Sequence, residues 1–213
     1  RNRLAANFEG ADLRGANLEG LNLNRSIFKN ANAENINLSN STLLGGSDLS
    51  GANLTNADFT GAKLNNPNFK KANLTGAKLP GANLYKVDLT GADLSFADLK
   101  GANFTGADLT NANLVNTNLG YTNLSGANLE MATLTKANLT KANLTGADLS
   151  FADLKGANFT GADLTDAELS VTILTDVKFN GATFKKSKMQ QNDFDKILKK
   201  LSQEQKDGIE IIY

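Results

Sequence analysis

From Leu49 to Phe194 every fifth residue is large and apolar, and all 30 of these positions hold Leu, Phe or Met. The same period runs one residue out of phase through the N-terminal part, at Phe8, Leu13, Leu18, Leu23, Phe28, Leu38 and Leu43, with Ala33 the one small residue on that track. A period of five fits neither the roughly 3.6 of an α-helix nor the roughly 2 of an extended strand. A chain with this period must turn a corner after each short extended piece, and Gly and Asn are residues that tolerate such corners. The phase changes at Gly45-Gly46, where one inserted residue falls on backbone free to take unusual angles.

Two residues before each large one stands a small one, usually Ala, as at Ala52, Ala57, Ala62, Ala72 and Ala77. Asn or Asp lies between them, and a Thr/Ser-rich position and a Gly/Asn/Lys-rich position follow. The unit reads A-(D/N)-(L/F)-(S/T)-(G/N), and the large and small apolar residues point inwards together. With 40 % apolar residues, this is a low-complexity repeat that can still build a core. Cys, His and Trp are absent, which excludes disulfides, thiol nucleophiles, imidazole bases and Cys/His metal sites. Lys+Arg and Asp+Glu are each 22, against a broadly basic nucleic-acid binder. No run approaches the ~20 apolar residues of a membrane span. Nothing in the sequence places a nucleophile beside a base, and no phosphate-binding glycine loop occurs, so no enzyme, cofactor or metal is expected.

The tandem A(D/N)LXX units resemble those of the pentapeptide repeat proteins, and the resemblance covers roughly residues 4–196. It implies an all-β solenoid, a right-handed quadrilateral β-helix in which four units make one square coil. Between nine and ten coils would stack ~4.8 Å apart, the spacing of hydrogen-bonded strands. The repeat domain is placed at 4–192, with the one-residue insertion at 45–46, and a C-terminal cap at 193–213. There Phe194, Ile197, Leu198 and Leu201 fall on one face of a helix. Asn192 or Asp193 is a candidate N-cap, Gly208 a stop, and one amphipathic helix over about 193–207 is expected, with the apolar tail IEIIY packing on it or pairing. Arg1 to Ala5 would cover little of the first coil, so a removed segment or a homodimer through that end of the rod is expected. The chain starts without Met, as a trimmed or exported chain would. Both a cytoplasmic location and, if a leader has been removed, a periplasmic or thylakoid-lumen one are compatible with it.

With four units per turn, residues 20 apart stack. Asp88, Asp108, Asn128, Asp148 and Glu168 then form an acidic stripe, either a contact for a protein or cation or simply the interchangeable Asp/Asn position of the repeat. Met131, Phe151 and Val171 fall on one corner in consecutive coils where Gly, Asn or Lys is usual, with Asn111 and Gln191 at its ends. They are the candidate interaction surface, the alternative being corners that bend inwards. Phe96, Tyr121 and Tyr85 are isolated outward aromatics. Asn83, Asn103, Asn123 and Asn143 form an expected amide ladder supporting the sheet.

Residues 89–110 and 144–165 are identical, 55 apart, which is not a whole number of turns, so Phe96 and Phe151 land on adjacent corners. Such a copy looks like growth of the array.

The function expected is that of a non-enzymatic scaffold for a protein partner, with no nucleic acid and no membrane span. The alternative is a DNA mimic that binds type II topoisomerase (gyrase) and gives quinolone resistance, as in some members of the family. Mimicry needs a strongly negative rod, whereas residues 51–180 hold ten Lys against twelve Asp and Glu, a net of −2.

Overall fold

A five-residue unit has room for only a few extended residues before it must turn, and almost every unit turns in the same way. In the computed structural model, which describes residues 5–64 and 66–212, the residue two after each large apolar one has a positive φ. Glycine fills many of these corners, and side-chain-bearing residues such as Asn56, Lys71 and Asn111 fill others. The Asn or Asp just before the large residue closes the corner by accepting the backbone amide two residues on, as with Thr60 to Asp58 at 2.9 Å and Thr105 to Asn103 at 3.1 Å. Asn and Asp offer the same oxygen, so they alternate freely there. Lys63, Lys78 and Lys178 occupy the same position without that bond, and their corners still form at Asn66, Gly81 and Gly181.

Each unit pairs with the unit one coil away. Parallel bridges join residues 20 apart from Asp48–Asn68 to Glu168–Lys188, tracing four ladders around the axis. Across Gly45-Gly46 the spacing becomes 21, as in Ile27–Asp48 and in the pairing of β1 (Thr42–Leu43) with β2 (Lys63–Leu64). Both glycines lie at positive φ, 74° and 82°, so the extra residue is taken up within the corner and no strand is displaced. The result is a β-helical solenoid.

The axis is solid. Every large residue on the track from Leu23 to Met189 is buried, with the small inward residues between them. Phe8, Leu13 and Leu18 at the N-terminal end pack on this core but are only partly buried. Rings one coil apart stack, with the Phe159 and Phe179 centroids 5.5 Å apart. Where Ser or Thr replaces the small Ala, its hydroxyl is buried and donates to a backbone carbonyl, as Thr122 does to Leu119 O at 2.7 Å. The inward position therefore selects for size, and for hydroxyls that can find an acceptor. Each buried Leu or Phe contributes roughly 1.5–3 kcal/mol, mostly through the coils directly above and below.

The C-terminal segment differs from the single helix expected. β3 (Ser187–Gln190) runs straight into α1 (Gln191–Ile197), a 3-10 turn spans Leu198–Lys200, and α2 covers Gln203–Asp207. The interruption has a local cause. Ser202 is extended and caps α2 through a reciprocal box, its hydroxyl accepting from Gln205 N while the Gln205 side chain accepts from Ser202 N at 2.8 Å. The N-cap of α1 is Gln190 rather than Asn192 or Asp193, because the helix starts directly from the end of β3, and it makes no side-chain cap. Gly208 ends α2, and β4 (Ile209–Ile212) pairs in parallel with β3. Of the expected helix face, Ile197 and Leu201 are buried, Phe194 packs partly buried against the core, and Leu198 is half-buried. Asp193 is also buried, with Oδ1 on Lys196 Nζ at 2.7 Å and Oδ2 without a partner.

Candidate interaction surface

Corner residues point away from the axis, so what stands there decides what the rod shows to a partner. Met131, Phe151 and Val171 have φ of 57°, 61° and 58°, and their side chains are 50 %, 52 % and 44 % exposed. They do not bend inwards. Their units are joined coil to coil by Met131 N to Ser150 O at 3.0 Å and Phe151 N to Ser170 O at 2.9 Å. The three therefore occupy one corner in consecutive coils.

The left-handed conformation costs an L-residue about 1–2 kcal/mol, and a β-branched one fits it worst. At Val171 a strained backbone and an apolar side chain in water coincide without a folding benefit. Val171→Gly should therefore leave the melting temperature unchanged or raise it, for a net gain of ~0.5 kcal/mol after glycine's own entropy cost. A loss above ~1 kcal/mol on thermal melting would mean that the side chain is packed after all.

Ile173 was missed in the sequence because it occupies the Asn/Asp position, where only residue type distinguishes it. It is 50 % exposed and lies two residues beyond Val171, widening the apolar corner onto the next face. The other outward aromatics stand apart. Tyr121 is flanked by Lys100 and Lys141, whose ammonium groups lie 5.7 and 5.5 Å from its ring, and Tyr85 by Lys86 at 5.2 Å. Phe96 is exposed on the neighbouring corner column.

The acidic stripe occupies the face that ends at the apolar corner. Asp88, Asp108, Asn128, Asp148 and Glu168 are joined by consecutive bridges, and each of the last three lies three residues before Met131, Phe151 or Val171. Four of the five make the corner bond, for instance Ser150 N to Asp148 at 2.9 Å, while Glu168 instead accepts from the Ser170 hydroxyl. These carboxylates shape the turn and still present charge. At Asp108 partial burial works to raise the carboxyl, but the Thr110 hydroxyl and amide, the Thr90 hydroxyl and Lys70 outweigh it and hold it below the usual carboxylate range.

The expected Asn ladder forms as two pairs, Asn83 with Asn103 and Asn123 with Asn143, each at 3.2 Å. Between the pairs, Asn103 Oδ1 accepts from the Thr105 hydroxyl at 2.6 Å and amide at 3.1 Å.

Among the described residues no group of carboxylates is arranged to hold a metal. Nor, among those residues, is any helix long and apolar enough to cross a membrane. A cleft of about 560 Å³ lies between the last coil and α2, lined by Gly181 to Lys185 and residues of the Ser202–Gly208 segment.

The family model for pentapeptide repeats matches in eight copies, over residues 6–45, 41–70, 68–106, 112–150, 122–161 and 152–191. The chain belongs to the pentapeptide repeat family. Among solved structures it is similar to HetL, a pentapeptide repeat protein involved in heterocyst differentiation regulation from the cyanobacterium Nostoc sp. strain PCC 7120. The identity is 32 % and the TM-score 0.73, over 85 % of this chain and 90 % of HetL. It also resembles a trypsin-treated variant of QnrB1, a plasmid-mediated fluoroquinolone resistance protein, at 21 % identity and TM-score 0.56, over 92 % of this chain and 97 % of that one. That second likeness concerns the fold alone. No curated protein is matched by the sequence.

Proposed function

We propose that this chain is a rigid, non-enzymatic scaffold of about nine to ten coils, closed at its C-terminal end by the segment from α1 to β4, that docks a protein partner on the corner formed by Met131, Phe151 and Val171 with Ile173. The observation that carries the reading is the coincidence of exposure and positive φ at three successive corners of one column. Most corners are glycine, Asn or Lys, residues that suit this backbone or water better. Contiguous exposed apolar side chains on a soluble rod mark contact surfaces.

Charge is distributed against a DNA-mimicking rod. Lys78, Lys100, Lys141 and Lys178 belong to the ladder and corner two units away from the acidic stripe, on the opposite side of the coil. A gyrase-binding mimic needs negative potential around the duplex-like surface, and here lysines interrupt it, Lys78 standing between Asp58 and Asp98 on one ladder.

The combined variant Met131→Ser, Phe151→Ser and Val171→Ser tests the docking reading. Its stability should stay within ~1 kcal/mol of the parent, because the three side chains lie outside the core and about half of each is already in water. In paired pull-downs from the source organism, proteins retained by the parent should be lost from the variant. An unchanged retained set, with the fold intact, would exclude this corner.

A further inference from the structure

The apolar corner and the acidic stripe form a single surface in the folded rod, and their combination points to a definite partner chemistry. From Asp88 to Val171, this face and its two bounding corners carry Asp88, Asp108, Glu130, Asp148, Asp166 and Glu168, with no Lys or Arg among them. Lys70, Lys71 and Lys86 lie below this stretch and Lys185, Lys186 and Lys188 above it. Glu130, Asp148 and Glu168 stand in the same three coils as Met131, Phe151 and Val171, so each apolar corner has a carboxylate beside it on the same side. Among the described residues the only ion pairs are Arg14–Asp12, Lys78–Asp58 and Lys196–Asp193. The carboxylates of this face accept turn hydrogen bonds but stand in none of these ion pairs.

We propose that the occupant of the corner is a basic amphipathic α-helix of a partner protein, laid along the rod axis. Its apolar stripe would seat on Met131, Phe151 and Val171, and its Lys and Arg residues would lie over Glu130, Asp148 and Glu168. This inference rests on the docking reading above and adds the chemistry of the partner.

The spacing favours a helix. Three corners in consecutive coils span about 10 Å at ~4.8 Å per coil. Helical residues at i, i+3/i+4 and i+7 span about 10.5 Å at ~1.5 Å per residue, so two successive apolar contacts stay in register. An extended strand with alternate residues facing the rod would advance about 13 Å over the same three contacts and drift off the corner. Charge fixes the orientation about the helix axis. On the far side of the corner the same coils carry Asp153 and Asp176 against Lys136 and Lys155, so that flank is balanced and cations there gain nothing net. Exposed pairs of this kind contribute little singly and act together at low salt.

A synthetic helical peptide with Leu at i, i+3/i+4 and i+7 and Lys on one flank serves as the probe, titrated by fluorescence anisotropy against the full chain. Two controls carry Glu in place of Lys, or Ser in place of Leu. The Lys/Leu peptide should bind and both controls should be at least tenfold weaker. Neutralising the face with Asp108→Asn, Glu130→Gln, Asp148→Asn and Glu168→Gln should weaken it about tenfold, the sum of several modest exposed pairs.

Reversing the charge with Asp108→Lys and Asp148→Lys should shift preference towards the Glu peptide. Lys already occupies this unit position at Lys63, Lys78 and Lys178, so the fold accepts it. If the Ser corner variant loses the peptide while the neutralised face keeps full affinity, docking on the corner stands and the basic-partner proposal falls. Both fall if neither variant changes binding. A face occupied in solution by a second copy, seen as self-association by sedimentation that the Ser variant abolishes, overturns the proposal as well.

Discussion

Replacing Leu119 with Asp should break the rod in the middle while leaving its two ends folded. Leu119 is buried on the axis, one coil from Leu99 below and Leu139 above, and both of these are fully buried too. The change removes an apolar side chain, worth about 2–5 kcal/mol when truncated in a core, and puts a carboxylate where no donor is free to meet it. An unpaired buried charge costs several kcal/mol more even after relaxation, roughly. In a solenoid each coil touches only its neighbours, so the damage stays local and the melt should split into two transitions. Limited proteolysis should cut between the coils that flank residue 119. The effect also carries a pH signature. Burial raises the folded-state pKa of the new carboxyl above its unfolded value near 4, so the variant is least destabilised below about pH 4 and loses stability as pH rises through the raised value. Leu119→Met keeps the volume and should cost under ~1.5 kcal/mol. A Leu119→Asp chain that melts like the parent at pH 7 would mean that water reaches the axis.

That experiment addresses the part of the structure that was legible in the sequence. Leu, Phe and Met at every fifth position can be buried together only if the chain turns after each unit, and the bridges at 20 and 21 residues follow from four such turns. The corner residues were legible for a related reason. The phase of the repeat puts Met131, Phe151 and Val171 at corners of one column, and their exposure decides that those corners do not bend inwards.

What escaped the sequence was whatever depends on two elements at once. Ile173 sits at an Asn/Asp position, and its link with Val171 appears only when the corner and the next face are seen together. In the sequence Asp88, Asp108 and Asp148 are equally compatible with a charged contact and with the interchangeable Asp/Asn position of the repeat. Their oxygens also make the turns, and that dual role is set by backbone geometry. The C-terminal segment departs from the expected single helix for a different reason. An i, i+3, i+4, i+7 pattern extends without a break from Phe194 to Leu201, but the Ser202–Gln205 box starts a second helix, and the buried Asp193 falls on the same segment. Local capping won over periodicity there.

Gln205 is the residue on which the C-terminal end turns, and replacing it should release the cap. In earlier coils the carbonyl of the small inward residue accepts from the coil above, as Ala162 O does from Thr183 N; at the last coil Ala182 O accepts instead from Gln205 Nε2 at 2.8 Å, which also donates to Phe179 O at 2.7 Å. The other end of the same amide, Oε1, accepts Ser202 N at 2.8 Å, so a single side chain closes the rod and starts α2. Gln205→Met keeps length and apolar volume but leaves Ala182 O and Ser202 N–H unmet, while Phe179 O keeps its bond from Ala182 N at 3.0 Å. At about 1–3 kcal/mol for each buried group left without a partner, we expect a loss of ~2–4 kcal/mol, confined to the C-terminal end. Hydrogen exchange should speed up from Leu198 to Ile212 while amides near Leu119 keep their protection. Gln205→Glu separates packing from hydrogen bonding. It can still accept Ser202 N–H, but its second oxygen faces two carbonyl oxygens, so it should be worse than Met despite being the closer isostere. With the cap loosened, the exposed strand edge is a template for pairing, and both variants should associate at lower concentration than the parent. Equal stability and equal exchange in Gln205→Glu and the parent would show that the amide is not what holds the cap to the coil.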